Sequence, residues 1–219
     1  MTTPHTTHTL YYCYDAYCGW CYGNSKVIQQ VAQQYGNKVH IEVLSGGMVR
    51  PATPTPISAT AEYIRNAYPR VEEYTGVTFG TDYLWHINNP ELSDWYPDST
   101  KPAIAMCIFK EQYAYRQVEF AVDLQQALYG EGRDLCDNEA YRHILEKYEL
   151  DVTTFYNKLA SDVYKQQALQ EFEMCTKLQV RGFPSMYLRA TTGKYYEITN
   201  GYTSYDATVQ RLTAVLAVH

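Results

Sequence analysis

Two cysteines separated by two residues, Cys18-Gly19-Trp20-Cys21, stand where a strand-like stretch gives way to a helix-like one. That placement limits what the chain can become. Before the pair, Thr9-Leu10-Tyr11-Tyr12-Cys13-Tyr14 is β-branched, aromatic and apolar, the composition of a short buried strand. After it, Val27, Ile28, Val31, Ala32 and Tyr35 share one helical face, and Gly36 stands where a C′ glycine would close the helix. A helix start carries unpaired N–H groups and partial positive charge, both of which favour a thiolate. On one helical turn the two sulfurs can close a small disulfide ring, so the pair reads as a thiol–disulfide exchange site.

The rest of the chain frames that motif. Lys38-Val39-His40-Ile41-Glu42-Val43-Leu44 alternates apolar and polar residues, which makes a second strand and a βαβ unit with parallel strands. Ser45-Gly46-Gly47 ends it, and Pro51, Pro54 and Pro56 mark a stiff connection. Residues 57–178 lack period-two alternation and read as helices. Ala61, Ile64, Ala67 and Tyr68 suggest one that Pro69 interrupts. A longer apolar pattern from Pro102 to Leu128, one helix or two, is broken at Gly130-Glu131-Gly132. Asp137 or Asn138 and then Asp151 are candidate N-caps for shorter helices, and Leu169, Phe172, Cys175 and Leu178 pattern a last one. Strands return at Ser185-Met186-Tyr187-Leu188 and Tyr195-Tyr196-Glu197-Ile198-Thr199, an antiparallel hairpin turning at Thr192-Gly193-Lys194. Val209, Leu212, Val215 and Leu216 then pattern a closing helix. The order β-α-β, helices, β-β-α defines an α/β thioredoxin fold with a large all-helical domain inserted between its halves. The expected domains are 1–50 with 179–219 for the thioredoxin-like part and 51–178 for the insert.

Asp15, Cys18-Gly19-Trp20-Cys21-Tyr22 and Val180-x-Gly182-x-Pro184 together resemble two segments of cytoplasmic DsbA-like, FrnE-type thioredoxin-fold proteins. Those read D-x-x-C-P-W-C-Y and V-x-G-x-P, and Tyr129-Gly130-Glu131-Gly132-Arg133-Asp134-Leu135-Cys136-Asp137 is a softer match to their F-x-E-G-x-D-I-x-D segment. The resemblance implies a thiol–disulfide oxidoreductase or isomerase whose Cys18 attacks, whose Cys21 resolves, and whose Pro184 is cis and packs beside the pair. It also implies that Gly19, Trp20 and the Phe183 backbone contact the substrate, in the manner of an added strand. No cofactor beyond the redox-active pair is implied; partners would be disulfide or thiol proteins, with glutathione a candidate co-substrate. The chain departs from the pattern at Gly19, where the family has proline, and it has no histidine between the cysteines. Thioredoxins place a buried carboxylate six residues before the first cysteine, where this chain has Tyr12. Asp15 is the candidate replacement as proton acceptor, with a cap or turn role as its alternative.

Composition removes several competing classes. A net charge of −6 disfavours nucleic acid and anionic membrane as partners. No apolar run approaches the ~20 residues needed to span a bilayer. The first eight residues lack the basic and apolar regions of a secretory signal, so a cytoplasmic location is expected, where disulfides are rare unless catalytic. His5 and His8 on a Thr-rich leader are expected to be solvated. Cys13-x4-Cys18-x2-Cys21 matches the spacing of three iron–sulfur ligands, but no fourth cysteine follows nearby, and no metal is expected. Cys13, Cys107, Cys136 and Cys175 are expected to be buried small hydrophobes, with a lesser reading in which Cys13 reshuffles with Cys18. The 23 tyrosines are expected to be half-buried, each hydroxyl reaching water or a backbone group. Two other functions compete: a glutathione-dependent isomerase or kappa-type transferase, which shares the inserted architecture but usually carries serine at the first cysteine, and a peptide-binding module with structural cysteines.

Overall fold

A computed structural model describes residues 8–218; His5 therefore lies outside the described residues. Four strands form one sheet in the order β2-β1-β3-β4: β1 is Thr9–Tyr14, β2 His40–Ser45, β3 Ser185–Arg189 and β4 Tyr195–Asn200. β1 runs parallel to β2, with Thr9 opposite His40 and Tyr14 opposite Ser45, and antiparallel to β3, with Cys13 opposite Ser185. β3 and β4 are antiparallel, with an irregularity between Met186 and Tyr187. Sitting between β2 and β3, β1 is buried on both faces, which explains its nearly continuous apolar sequence. Leu10, Tyr12 and Tyr14 face the main core, and Cys13 faces a smaller cluster with Leu44, Cys175 and Tyr187.

Helices α1 (Gly19–Gly23) and α2 (Ser25–Tyr35) join β1 to β2, and α10 (Tyr205–Leu216) follows β4. Between β2 and β3 lie α3 (Ser58–Thr75), α4 (Thr81–Asn88), α5 (Thr100–Tyr113), α6 (Gln117–Gln125), α7 (Arg142–Lys147), α8 (Val152–Leu159) and α9 (Asp162–Lys177). The pattern from Pro102 to Leu128 resolves into α5, α6 and one wider π turn at Gln126–Gly130. Asp137 and Asp151 both cap as expected, accepting from the backbone N–H of Glu139 and Thr154.

Some local expectations yield to tertiary context. Pro69 does not interrupt its helix, because α3 continues through it to Thr75. A mid-helix proline costs about 3 kcal/mol, and packing on both sides outweighs it: Ala61 and Val71 are buried and the Arg65 guanidinium donates to the Ile87 carbonyl. Gly36 closes α2 where the sequence places the stop, in a right-handed conformation (φ −59°). Its missing Cβ matters, since a Cβ there would lie 2.6 Å from the Ala32 carbonyl oxygen. Many tyrosines are fully buried instead of half-buried. Tyr141 satisfies its hydroxyl on Leu135 O at 2.6 Å, and Tyr148 on the Asp123 carboxylate at 2.7 Å. Cys136 is only half-buried, its thiol 3.4 Å from the Tyr17 hydroxyl; Cys13, Cys107 and Cys175 are buried as expected.

β2 is an edge strand, and side chains from the helices cover its open backbone. Gln117 accepts from Val43 N–H at 2.9 Å and donates to Ile41 O at 3.3 Å; Glu171 accepts from Ser45 N–H at 2.8 Å. Lys110 Nζ donates to Val43 O and pairs with Glu42 and Glu171 at 2.6 Å each. This saturates groups that would otherwise template another strand. Burial alone would lift the Glu42 carboxyl, but the Lys110 ammonium holds it below the usual range, and the two carboxylates keep Lys110 charged despite its burial. Lys110→Met strands two carboxylates in a dry site, so denaturant unfolding should show a loss of about 3 kcal/mol.

Candidate active site

Cys18 is the N-cap of α1 and Cys21 lies one turn inside it. The Cys21 backbone N–H donates to Cys18 Sγ at 3.3 Å, so the sulfur occupies the place a capping serine oxygen would take. Exposure follows the expected order but is small, 5% for Cys18 and none for Cys21. Burial, together with the neighbouring Cys18 sulfur, pushes the Cys21 thiol well up.

The far end of the chain reaches the same point. The Phe183–Pro184 peptide bond is cis, and the Cys18 thiol donates to Phe183 O at 3.5 Å across 165 residues of sequence. Ser185 Oγ braces the turn on Gly182 O at 2.7 Å. The Phe183 ring rests against the backbone after β2, where a Cβ on Gly46 would fall 2.0 Å from its Cζ; only glycine admits the ring there. Trp20 contacts Tyr74 from α3 and Tyr202 from the loop after β4, with ring centroids 6.2 Å away in each case. Phe79 lies over the motif, but a Cβ on Gly19 would meet its Cζ at an ordinary 3.5 Å, so space does not dictate glycine there.

Asp15 is fully buried and ties three segments together. Its Oδ1 accepts from Tyr17 N–H at 3.0 Å and from Ser99 Oγ at 2.8 Å, and its Oδ2 from Met48 N–H at 2.7 Å. Gln125, another buried polar side chain, donates to Asp15 O at 3.2 Å and Cys18 O at 3.4 Å. Burial raises the Asp15 carboxyl in spite of these donors. Met48, Ser99, Gln125, Phe79 and Tyr74 were not singled out by the sequence; the one available signal was Gln125, an amide within the apolar run of α6.

Cys13 points away from this assembly. Its thiol lies with Cys175 on the opposite face of the sheet from the core that holds Cys18 and Cys21, so the arrangement removes the reshuffling reading. No group of three metal-ligating side chains assembles among the described residues. A cavity of about 840 Å³ lined by Lys38, His40, Tyr115 and Arg189 lies beside β2 and includes neither motif cysteine.

Four strands, a cis-proline loop and a helix-capping C-x-x-C describe a thioredoxin-fold protein with a paired-cysteine centre. The chain matches the DSBA-like thioredoxin domain over residues 9–213 and belongs to that family of thiol–disulfide oxidoreductases. Oxidoreductases of the DsbA-like family use no cofactor. No curated protein sequence matches the chain. Among solved structures, it is similar to a candidate protein disulfide isomerase from Nitrosomonas europaea, at TM-score 0.81 and 22% identity over 97% of this chain and 99% of that one. It is also similar to the cytosolic disulfide reductase DsbM from Pseudomonas aeruginosa (TM-score 0.77, 21% identity, 96% and 100% covered), which has also been solved with GSH. A 2-hydroxychromene-2-carboxylate isomerase shares the fold at TM-score 0.64 and 15% identity over 96% and 95%. No helix among the described residues is long and apolar enough to cross a membrane.

Because burial raises the folded-state value of Asp15, its contribution to stability is full below the unfolded carboxylate value of about 3.9 and is lost as pH rises through the folded one. Asp15→Asn leaves Met48 N–H facing an amide donor, a loss of about 1–3 kcal/mol. Urea unfolding of both proteins should show a gap that is widest near pH 4 and narrows toward neutrality.

Proposed function

We propose that Cys18 and Cys21 form a dithiol–disulfide couple that exchanges with protein substrates and with glutathione in the cytoplasm, as reductase or isomerase. The observation that carries this reading is the convergence of the Cys18 sulfur with the Phe183–Pro184 turn at 3.5 Å. Beside it, the solved DsbM complex with GSH supports glutathione as the small co-substrate. Residues 51–178 act here as a helical domain inserted into the thioredoxin frame, contributing Ser99 and Gln125 to hold the motif loop.

In the reducing direction, the Cys18 thiolate attacks a substrate disulfide, a mixed disulfide forms, and one substrate thiolate leaves with a proton. Cys21 then gives up its proton and attacks Cys18 Sγ; the Cys18–Cys21 bond forms, the mixed disulfide breaks, and the second substrate thiol departs. Asp15 is the candidate acceptor for the Cys21 proton, since burial raises the proton affinity of its carboxylate and that charge acts on the Cys21 thiol; its backbone N–H, a donor to the Cys21 sulfur, favours the thiolate left behind. Gly19, Trp20 and the Phe183 backbone form the substrate contact, at the surface rather than within a cavity. The isomerase of similar fold keeps a glutathione-dependent isomerisation as the second reading, which a retained second cysteine disfavours.

Neutral-pH alkylation followed by peptide mass analysis should modify Cys18 at least about tenfold faster than Cys107, whose thiol is pushed up by burial and by the Glu171 carboxylate. Cys18→Ser should abolish exchange, and Cys21→Ser should accumulate a mixed disulfide with glutathione at Cys18. Equal reactivity of Cys18 and Cys107 would refute the assignment.

A further inference from the structure

The last turn of α3 lies tightly against the motif helix. A Cβ on Gly23 would fall 2.7 Å from Thr75 Cγ2 and 3.0 Å from Val71 Cγ1, so glycine is what lets α3 approach α1. Both partners are β-branched and stiff, which leaves them little room to yield. Tyr74 stands in the same turn but outside that packing. It is 61% exposed, with its ring edge-on to Trp20 at 6.2 Å and 70°. Trp20 also meets Tyr202, at 6.2 Å and 34°. Tyr202 is held through Gly201, whose N–H donates to the Pro184 carbonyl at 2.8 Å. The ring two residues after Cys18 therefore touches one ring from α3 and one tethered to the cis-proline turn.

Single exposed tyrosines are ordinary on a protein surface. Tyr74 differs because its place is built: α3 is pinned to α1 at Gly23, yet the ring presented there is largely outside the core. An aromatic ring that is already ordered loses little freedom when a partner covers it. Tyr74, Trp20 and Tyr202 are uncharged at neutral pH. They suit an aromatic or long apolar side chain better than glutathione, whose ends are charged and which has no such side chain. We propose that Tyr74 and Tyr202 are specificity-determining residues that, with Trp20, receive an aromatic or long apolar side chain of a polypeptide substrate. The proposal rests on the reading above, in which Cys18 attacks a substrate disulfide beside the Phe183 backbone, and adds which disulfides are taken most readily.

A segment bound as an added strand projects every second side chain to the same side. The substrate cysteine points at Cys18, so the side chain received is two residues from it. The exchange itself is carried by sulfur alone. The Cys18 thiolate bonds one substrate sulfur, the substrate disulfide breaks, and the other sulfur leaves as a thiolate that takes up a proton. Tyr74 and Tyr202 act by holding the segment beside the cysteine. Their effect falls on the substrate concentration needed for half-saturation and leaves the limiting rate alone.

The test mixes the reduced full chain with two synthetic peptide disulfides, identical except for Phe or Ser two residues to either side of the cysteine. Glutathione disulfide is the third substrate, and single-turnover exchange is followed by acid quench and intact mass. The parent should half-saturate with the Phe peptide at a concentration about tenfold lower than with the Ser peptide. Tyr74→Ser and Tyr202→Ser should each remove most of that preference while leaving the limiting rate and the other two substrates unchanged. Tyr74→Phe should behave as the parent, and an unchanged rate on glutathione disulfide shows that the variants are folded. A parent with no preference for the Phe peptide, or a variant slowed equally on all three substrates, overturns the proposal. A parent that exchanges with none of the three refutes instead the role of Cys18 on which it rests.

Discussion

The antiparallel register between β1 and β3 is the constraint from which the site follows. Cys13 opposite Ser185 places the last residues of β1 against the first of β3. The motif loop that leaves β1 and the proline turn that enters β3 are therefore neighbours, whatever lies between them in sequence. A shift of one residue would turn Leu10, Tyr12 and Tyr14 out of the main core and bring Tyr11 and Cys13 into it, so burial on both faces fixes the register. The 3.5 Å approach of Cys18 to the Phe183 carbonyl is the local consequence of a pairing set by the sheet core.

The helices between β2 and β3 hold the site more than they cover it. Asp15 joins the motif loop, the segment after β2 and the start of α5 through Tyr17, Met48 and Ser99. Gln125 holds the same loop from α6. Along the open edge of β2, Lys110, Gln117 and Glu171 bind its backbone groups. Such contacts are expensive to break singly, because each loss strands a buried polar partner. They give the helices and the sheet a common rigid frame for a reaction whose geometry tolerates little play.

What was legible in the sequence was local. Strand composition around Leu10 and Ile198, the helical face from Val27 to Tyr35, and the aspartate caps at Asp137 and Asp151 each declare themselves within a few residues. The link between Cys18 and Pro184 was legible only through the likeness of two separate motifs to one family. The rest of the site depends on distant partners: nothing in the residues around Ser99 or Met48 announces a carboxylate 84 or 33 positions away. Pro69 departs from expectation because propensity describes a helix in isolation, whereas packing decides there. Tyrosines such as Tyr141 and Tyr148 exceeded their expected burial because their hydroxyls find protein acceptors, the Leu135 carbonyl in the core and the Asp123 carboxylate at its rim.

The most direct measurement is an equilibrium titration of the reduced protein through glutathione buffers of rising oxidation, read by intact mass and disulfide mapping. A two-electron couple at this site should give a Cys18–Cys21 disulfide as the stable product, with the Cys13 and Cys107 thiols still reduced. Cysteines 18 and 21 that remain reduced in the most oxidising buffer, or a stable glutathione adduct at Cys18 with a free Cys21 thiol beside it, would contradict the account.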